Sequence, residues 1–221
     1  MGWQPQDQIA QSVALEVLLH GPLGRSELAR RLSLAPATLT RISTDLIASG
    51  LLTEVRSTRT GTSGRPSIPL AVVPDSHHFL GIKVADDCLT AAVINLKAQV
   101  LSYDQLPLPT HSPTDVVEGI ASLASQAEKT FRIDAIGVGI GGVVTDQGVI
   151  RSAPFLEWED VDLVGLLREH ITIPVFVAND LTAYTQAQHW FDLGALHRNF
   201  AVLTLGVGTG YGCVANGRPL E

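Results

Sequence analysis

A change in hydrophobic period near Pro74 constrains this chain more than any other feature of its sequence. Before it, apolar residues recur at helical spacing: Ile9, Val13, Val17 and Leu18, then Leu28 and Leu32, then Leu39, Ile42 and Leu46. Such spacing gathers side chains on one helix face. From Phe79 onward the apolar residues form short runs, FLGIKVA, CLTAAVINL and QVLSYDQL, broken at Asp86-Asp87 and at Lys97-Ala98-Gln99. Those are successive strands with turns between them. We therefore expect a helical first domain over residues 1–74 and an α/β second domain over residues 75–221, with the boundary around Pro74-Asp75.

Punctuation sharpens the first domain. Gly21-Pro22 ends the helix over residues 7–20. Ser26 suits the N-cap of the next one, ELARRL, because its hydroxyl can accept from a free helical N–H. Pro36 fits the first position of a third helix, where its missing N–H is no loss, and Gly50 suits its end. LLTEVR and SIPLAVV are then two strands around a polar, basic, Gly-rich segment, STRTGTSGRPS. Three short helices and a two-stranded wing describe a winged helix-turn-helix. Its third helix would place Thr38, Thr40, Arg41 and Thr44 outward, toward base edges and phosphates. Ser33 and Ala37 lie near the entry turn, and Arg56, Arg59 and Arg65 flank or occupy the wing, where an arginine can enter a minor groove. Exposed Thr/Arg faces are also commonly just solvated; here the tight helix spacing, the Pro-started helix and the Arg/Gly wing occur together.

Charge distribution agrees with that reading. The whole chain carries a formal −7, which by itself disfavours nucleic acid. Residues 1–74, however, hold seven Arg and no Lys against five carboxylates, a net of +2, and the remainder carries −9. Asymmetry of this kind marks a nucleic-acid module attached to something else. At 45% hydrophobic residues and 17% charged, the chain has enough apolar surface for a buried core. It has no apolar run of membrane-spanning length, and MGWQPQDQIAQ has neither a secretion signal nor a myristoylation motif. We expect a cytoplasmic protein that does not engage a membrane. Cys88 and Cys213 make neither a disulfide framework nor a metal cluster, and we expect two free thiols.

In the second domain, residues 114–131 suit an amphipathic helix with Val117, Ile120, Leu123 and Ala124 inside. DAIGVGIGGVV is a buried strand, TDQG a turn, residues 161–170 a helix, IPVFVAND a strand and LTAYTQAQHWFD a helix. FAVLTLGVGTGYGCVANG is a pair of strands around glycines. Gly137, Gly139 and Gly142 match G-x-G-x-x-G. A dinucleotide fold needs a helix directly afterwards, and VVTDQGVI is strand, turn and strand, so that reading fails. In the run Leu205–Gly212, glycines let backbone N–H groups approach a phosphate or sugar; a bulged hairpin without ligand accounts for the spacing equally well. Asn179-Asp180 follows an apolar strand, at the place where α/β sheets bind ligands. Asp180 there can act as general base or polyol acceptor, and either residue can cap the following helix.

These elements, in this order, resemble the ROK family, which groups bacterial repressors with sugar kinases. The resemblance covers nearly the whole chain. Its specific parts are Gly64-Arg65-Pro66, the Gly139–Val144 strand, Ala153-Pro154 with Trp158, Asn179-Asp180 and the Leu205–Gly212 run. It implies a partial actin-like ATPase fold, related to ribonuclease H, behind the winged helix, with a sugar bound between two lobes. By resemblance Asp180 matches the family's catalytic base, Asn179 its sugar-contacting neighbour and Gly142 the backbone position beside the sugar. Gly206, Gly208 and Gly210 match the second phosphate loop, here vestigial, and Arg65 the wing residue that probes the minor groove.

Departures from the family pattern point away from catalysis. Lys83 and Ala85 stand where the kinases have an Asp-x-Gly phosphate motif, which removes the carboxylate that organises Mg²⁺. Phe155 replaces a sugar-contacting Asn, and Thr182 and Gln188 replace an Asn and a Glu. The sequence stops at Glu221, ahead of the family's Gly-Glu-x-Gly-His segment and Cys-rich zinc motif, so we expect an incomplete domain with no zinc, no other metal, no cofactor and no catalytic residue. The expected function is a DNA-binding transcriptional repressor of carbohydrate-related genes. Its partners would be double-stranded operator DNA and a sugar or sugar-phosphate effector, and it would be a homodimer or higher homo-oligomer. The alternative is an ATP-dependent sugar kinase with an N-terminal extension.

Overall fold

The computed structural model describes residues 8–56, 68–206 and 208–220. The chain divides into two compact units between Ser76 and His77.

In the first unit, α1 (Gln8–His20) buries Val13 and Val17 and packs against α3 (Pro36–Ala48). Ile9, expected inside, is 41% exposed at the start of α1. Between the two helices lie β1 (Leu23–Gly24) and α2 (Arg25–Arg31). Helix α3 starts as its sequence requires, with Ala35 at the N-cap and Pro36 at its first position, and Leu39, Ile42, Ser43 and Leu46 are buried. Gly50, at φ +80°, takes the left-handed conformation just beyond its end, which costs glycine nothing. Strands β2 (Leu52–Glu54) and β3 (Pro69–Val72) pair antiparallel, and β1 adds to the other side of β3. Ser26 does not cap α2. The helix begins at Arg25 with Gly24 at the N-cap and no side-chain cap, because Gly24 is held in the sheet opposite Pro69. Residues 57–67, which include Arg59 and the Gly64-Arg65-Pro66 motif, lie outside the described residues.

The second unit is built on a five-stranded sheet. Strands β4 (His78–Val84), β5 (Cys88–Asn95) and β6 (Val100–Pro107) form an antiparallel meander. Helix α4 (Pro113–Glu128), capped by Ser112 Oγ accepting from Asp115 N, leads to β7 (Ile133–Ile140), which runs parallel to β4. Alternation decides the faces. Leu80, Ile82 and Val84, Leu89, Ala91 and Val93, and Ile136, Val138 and Ile140 are buried in one core with Val116, Val117, Ile120, Leu123 and Ala124 of α4. Gly81, Lys83, Gly137 and Gly139 alternate with those buried residues and therefore lie on the opposite face.

The expected single strand DAIGVGIGGVV is broken. Strand β7 ends at Ile140, and β8 (Val143–Val144) joins a separate three-stranded sheet with β9 (Val149–Ala153) and β10 (Trp158–Asp162). Gly142, at φ +157°, makes the break, and a Cβ on it would lie 2.3 Å from Ser152 O. Residues 158–162, the last two of which fall in the expected helix over 161–170, are strand. The helix that follows, α5 (Leu163–Arg168), is short and starts when Asp162 accepts from Gly165 N. Strand β11 (Val175–Asn179) completes the large sheet, giving the order β11-β7-β4-β5-β6, and α6 (Asp180–Phe191) follows at once.

The C-terminal strands β12 (Phe200–Leu205) and β13 (Thr209–Ala215) are antiparallel as expected, and β14 (Arg218–Leu220) adds a third. One face of this sheet packs on α6. The other carries Leu203 opposite Tyr211, with Leu205 and Leu220, all largely exposed. Among the described residues no helix is long and apolar enough to cross a membrane.

Candidate functional site

Two places gather the residues singled out by the sequence. The first is the exposed side of α3. Thr40, Arg41 and Thr44 face solvent together, Thr38 is half-buried, Ala37 is exposed in the first turn of α3, and Ser33 is exposed in the link before it. Ser33 has a positive φ of 54°, so the link between α2 and α3 is tight. The hydroxyls of Thr40 and Thr44 donate to Pro36 O and Thr40 O at 2.8 and 2.9 Å, which leaves their lone pairs facing outward. Arg41 reaches Asp45 on the same helix at 3.5 Å, with both side chains about two-thirds exposed.

Arginines of α2 play another part. Arg25 donates from Nε to the buried Ser43 Oγ of α3 at 3.0 Å and pairs with Glu54 of β2 at 2.8 Å. One side chain therefore ties helix, helix and sheet together. Glu27 receives both Arg30 and Arg31, and Arg31 also reaches Glu16 of α1 at 2.8 Å. Hydrogen bonds from Arg31 first, and Arg30 second, hold the Glu27 carboxyl below its ordinary value. Glu16, Glu27, Asp45 and Glu54 are thus engaged by arginines of the helices, and Arg56, Arg59 and Arg65 supply the segment's remaining positive charge.

The second place lies at the carboxyl ends of β7 and β11. Register sets Lys83 beside Gly139, and Gly139 beside Ala178. Asp180, the first residue of α6, stands over Gly139, with its Cα and Cβ 3.5 Å from where a side chain there would begin. Across this gap Lys83 Nζ meets Asp180 Oδ2 at 3.4 Å. Asn179 caps α6: its Oδ1 accepts from Leu181 N and Thr182 N, both at 3.0 Å, and its Nδ2 donates to Gly142 O at 2.9 Å. Of the two candidates for the cap, Asn179 takes the role and leaves the Asp180 carboxylate to the site. One Nδ2 hydrogen of Asn179 remains for a ligand.

Phe155 sits in the turn Pro154–Leu156, anchored by buried Leu156 and Trp158. Its ring lies 3.8 Å from a Cβ built on Gly141 and 3.4 Å from one built on Gly208. An aromatic wall therefore joins the two glycine segments. Gly206 N donates to Gly208 O within the second of them. Gly210 answers to packing: a side chain there would strike Leu181 of α6 at 2.7 Å, and one at Gly212 would strike Thr185 at 1.9 Å. In sequence Lys83 stands out only as a departure from the kinase motif, and nothing near it in the chain points to its contact with Asp180. Alternation along β4, which sets it opposite Leu80, Ile82 and Val84, signals only its face. No cluster of three or more His, Cys, Asp or Glu suited to a metal ion occurs among the described residues.

The family model described as "ROK family" matches residues 79–221. The chain belongs to the ROK family. It is 28% identical over 205 residues to the DNA-binding transcriptional dual regulator NagC of Escherichia coli (strain K12), an alignment covering 90% of this chain and 50% of that protein. A glucokinase of Streptomyces coelicolor is 31% identical over 136 residues, 61% of this chain and 43% of the glucokinase. Among solved structures, a ROK family transcriptional regulator described as a homologue of the Escherichia coli Mlc protein superposes with a TM-score of 0.78 at 27% identity, covering 97% of this chain and 57% of the other. The chain spans about half the length of the curated relatives it matches. The second unit accordingly has the actin-like, sugar-kinase-like fold of the family.

Proposed function

We propose that this chain is a DNA-binding transcriptional repressor of carbohydrate-related genes. One observation carries the reading: likeness to regulators runs through both units, whereas likeness to the glucokinase stops at 61% of the chain, about the size of the second unit. The first unit, expected over residues 1–74, is then a winged helix-turn-helix. Helix α3 enters the major groove with Thr38, Thr40, Arg41 and Thr44 toward the bases, and Ser33 and Ala37 lie near phosphates. Arg59 and Arg65 of the wing supply phosphate or minor-groove contacts. The protein binds operator DNA as a homodimer, with half-sites that mirror its symmetry.

The second unit, expected over residues 75–221 and compact from His77, is the effector and dimerisation domain, with Gly142, Asn179 and Asp180 meeting a sugar or sugar phosphate. Gly206, Gly208 and Gly210 are a vestigial phosphate loop, with Gly210 also required to be small by its packing on Leu181. Effector and DNA are coupled only if the ligand prefers one conformation of the protein. Asp180 is drawn to Lys83, and the ammonium competes with a substrate hydroxyl for the carboxylate, which opposes phosphoryl transfer. Selection of genomic fragments by the purified chain tests the reading. Recovery of an inverted-repeat site near carbohydrate genes supports it, and unenriched fragments overturn it. Sugar-dependent ADP release that disappears in Asp180→Asn would instead restore the kinase alternative.

A further inference from the structure

Lys83 is the one charged side chain that the large sheet sends toward Asp180 among the described residues. Its surroundings on that face are bare. A Cβ on Gly137 would meet no atom within 4 Å, and one on Gly81 would meet only Ala92 O at 3.9 Å. The ammonium therefore overlooks an open floor made by two glycines of adjacent strands, with Gly81 directly opposite Gly137. Lys83 is 61% exposed and Asp180 30% exposed. Their separation of 3.4 Å is longer than the ~2.7–2.9 Å of a well-formed charge-assisted hydrogen bond. An ammonium has three donors, so this contact leaves Lys83 with donors to offer.

Resting on the effector-site reading above, we propose that Lys83 is a ligand-contacting residue that fits this site to a polyol bearing a phosphate ester, taken up without a divalent cation. Asp180 accepts a ligand hydroxyl, and Asn179 holds the Asp180 backbone in place by capping α6. A phosphate beside that hydroxyl needs a positive partner to offset repulsion from Asp180. In a nucleotide-dependent site a metal ion supplies it. Here the ammonium does, and its own charge beside Asp180 opposes metal binding at that carboxylate. If Lys83 only neutralised Asp180, its removal would change affinity for neutral and phosphorylated ligands alike. A ligand-contacting Lys83 changes the difference between them.

Calorimetric titration of the 221-residue chain in EDTA tests this, with glucose, N-acetylglucosamine, the 6-phosphate of each, and inorganic phosphate as the ion alone. The expected result is at least one 6-phosphate binding about tenfold or more tightly than its parent sugar. Lys83→Met should erase that advantage, so that each 6-phosphate binds no more tightly than its parent sugar, and Lys83→Arg should retain most of it. Equal affinity for sugar and sugar phosphate, a requirement for Mg²⁺, or an advantage that survives Lys83→Met overturns the proposal. If no sugar binds in either form, the effector-site reading fails. Inorganic phosphate then decides for Lys83: heat that Lys83→Met abolishes keeps the anion subsite, and no such heat removes it too.

Discussion

In the first unit the architecture is tied by side chains that reach: Arg25 spans to Ser43 and Glu54, and Arg31 to Glu16 and Glu27. In the second the candidate site is shaped by side chains that are missing. Gly139 makes room for Asp180, Gly142 lets β8 turn under Ser152, and Gly210 and Gly212 let β13 approach α6. The two strategies fail differently. A lost arginine link leaves polar groups that water can recover in part, whereas an added methyl against backbone has nowhere to go.

Gly142→Ala should therefore have the largest effect, a loss of about 1–3 kcal/mol from the second unit. Gly137→Ala, which would touch nothing, should be neutral by comparison. Urea unfolding of both variants checks the contrast, and equal losses would break it. Arg25→Ala should cost the first unit about 1 kcal/mol, read as an earlier thermal transition of that unit with the second unchanged. On α3, Asp45→Ala frees Arg41 and removes a negative charge from the DNA-facing side, so operator affinity should rise a few-fold, to be measured by anisotropy at fixed salt.

The smallest effect concerns pH. Glu27 has a folded value lowered by Arg31 and Arg30, so its contribution is present above the ordinary carboxylate range and lost as pH falls through the lowered value. The melting temperature of Glu27→Gln should lie slightly below that of the parent near neutral pH and converge with it in acid. A constant offset across that range would show that Glu27 acts through packing rather than charge.

Local chemistry made much of this legible. Pro36, Leu39, Ile42 and Leu46 define α3 from both end and face, and the alternation of β4 and β5 is plain in the sequence. What stayed hidden depends on partners remote in sequence. Strand β1 is two residues long and exists because β3 pairs with it. Strand β10, rich in acidic residues, exists because β9 does. The glycines of 206–212 look alike in sequence, yet Gly210 and Gly212 serve helix packing while Gly208 lies beside Phe155. Spacing cannot separate those uses, since each is set by what approaches the backbone. Lys83 and Asp180 meet only because β4 and β11 both flank β7.

Whether the first unit reads DNA sequence is decided by anisotropy titration of the selected DNA fragment and a scrambled one, at several salt concentrations, with the parent chain and Arg41→Ala. A specific reader should prefer the selected fragment as salt rises, and Arg41→Ala should weaken that binding about tenfold. Weak binding, equal for both fragments and abolished by modest salt, would contradict that reading.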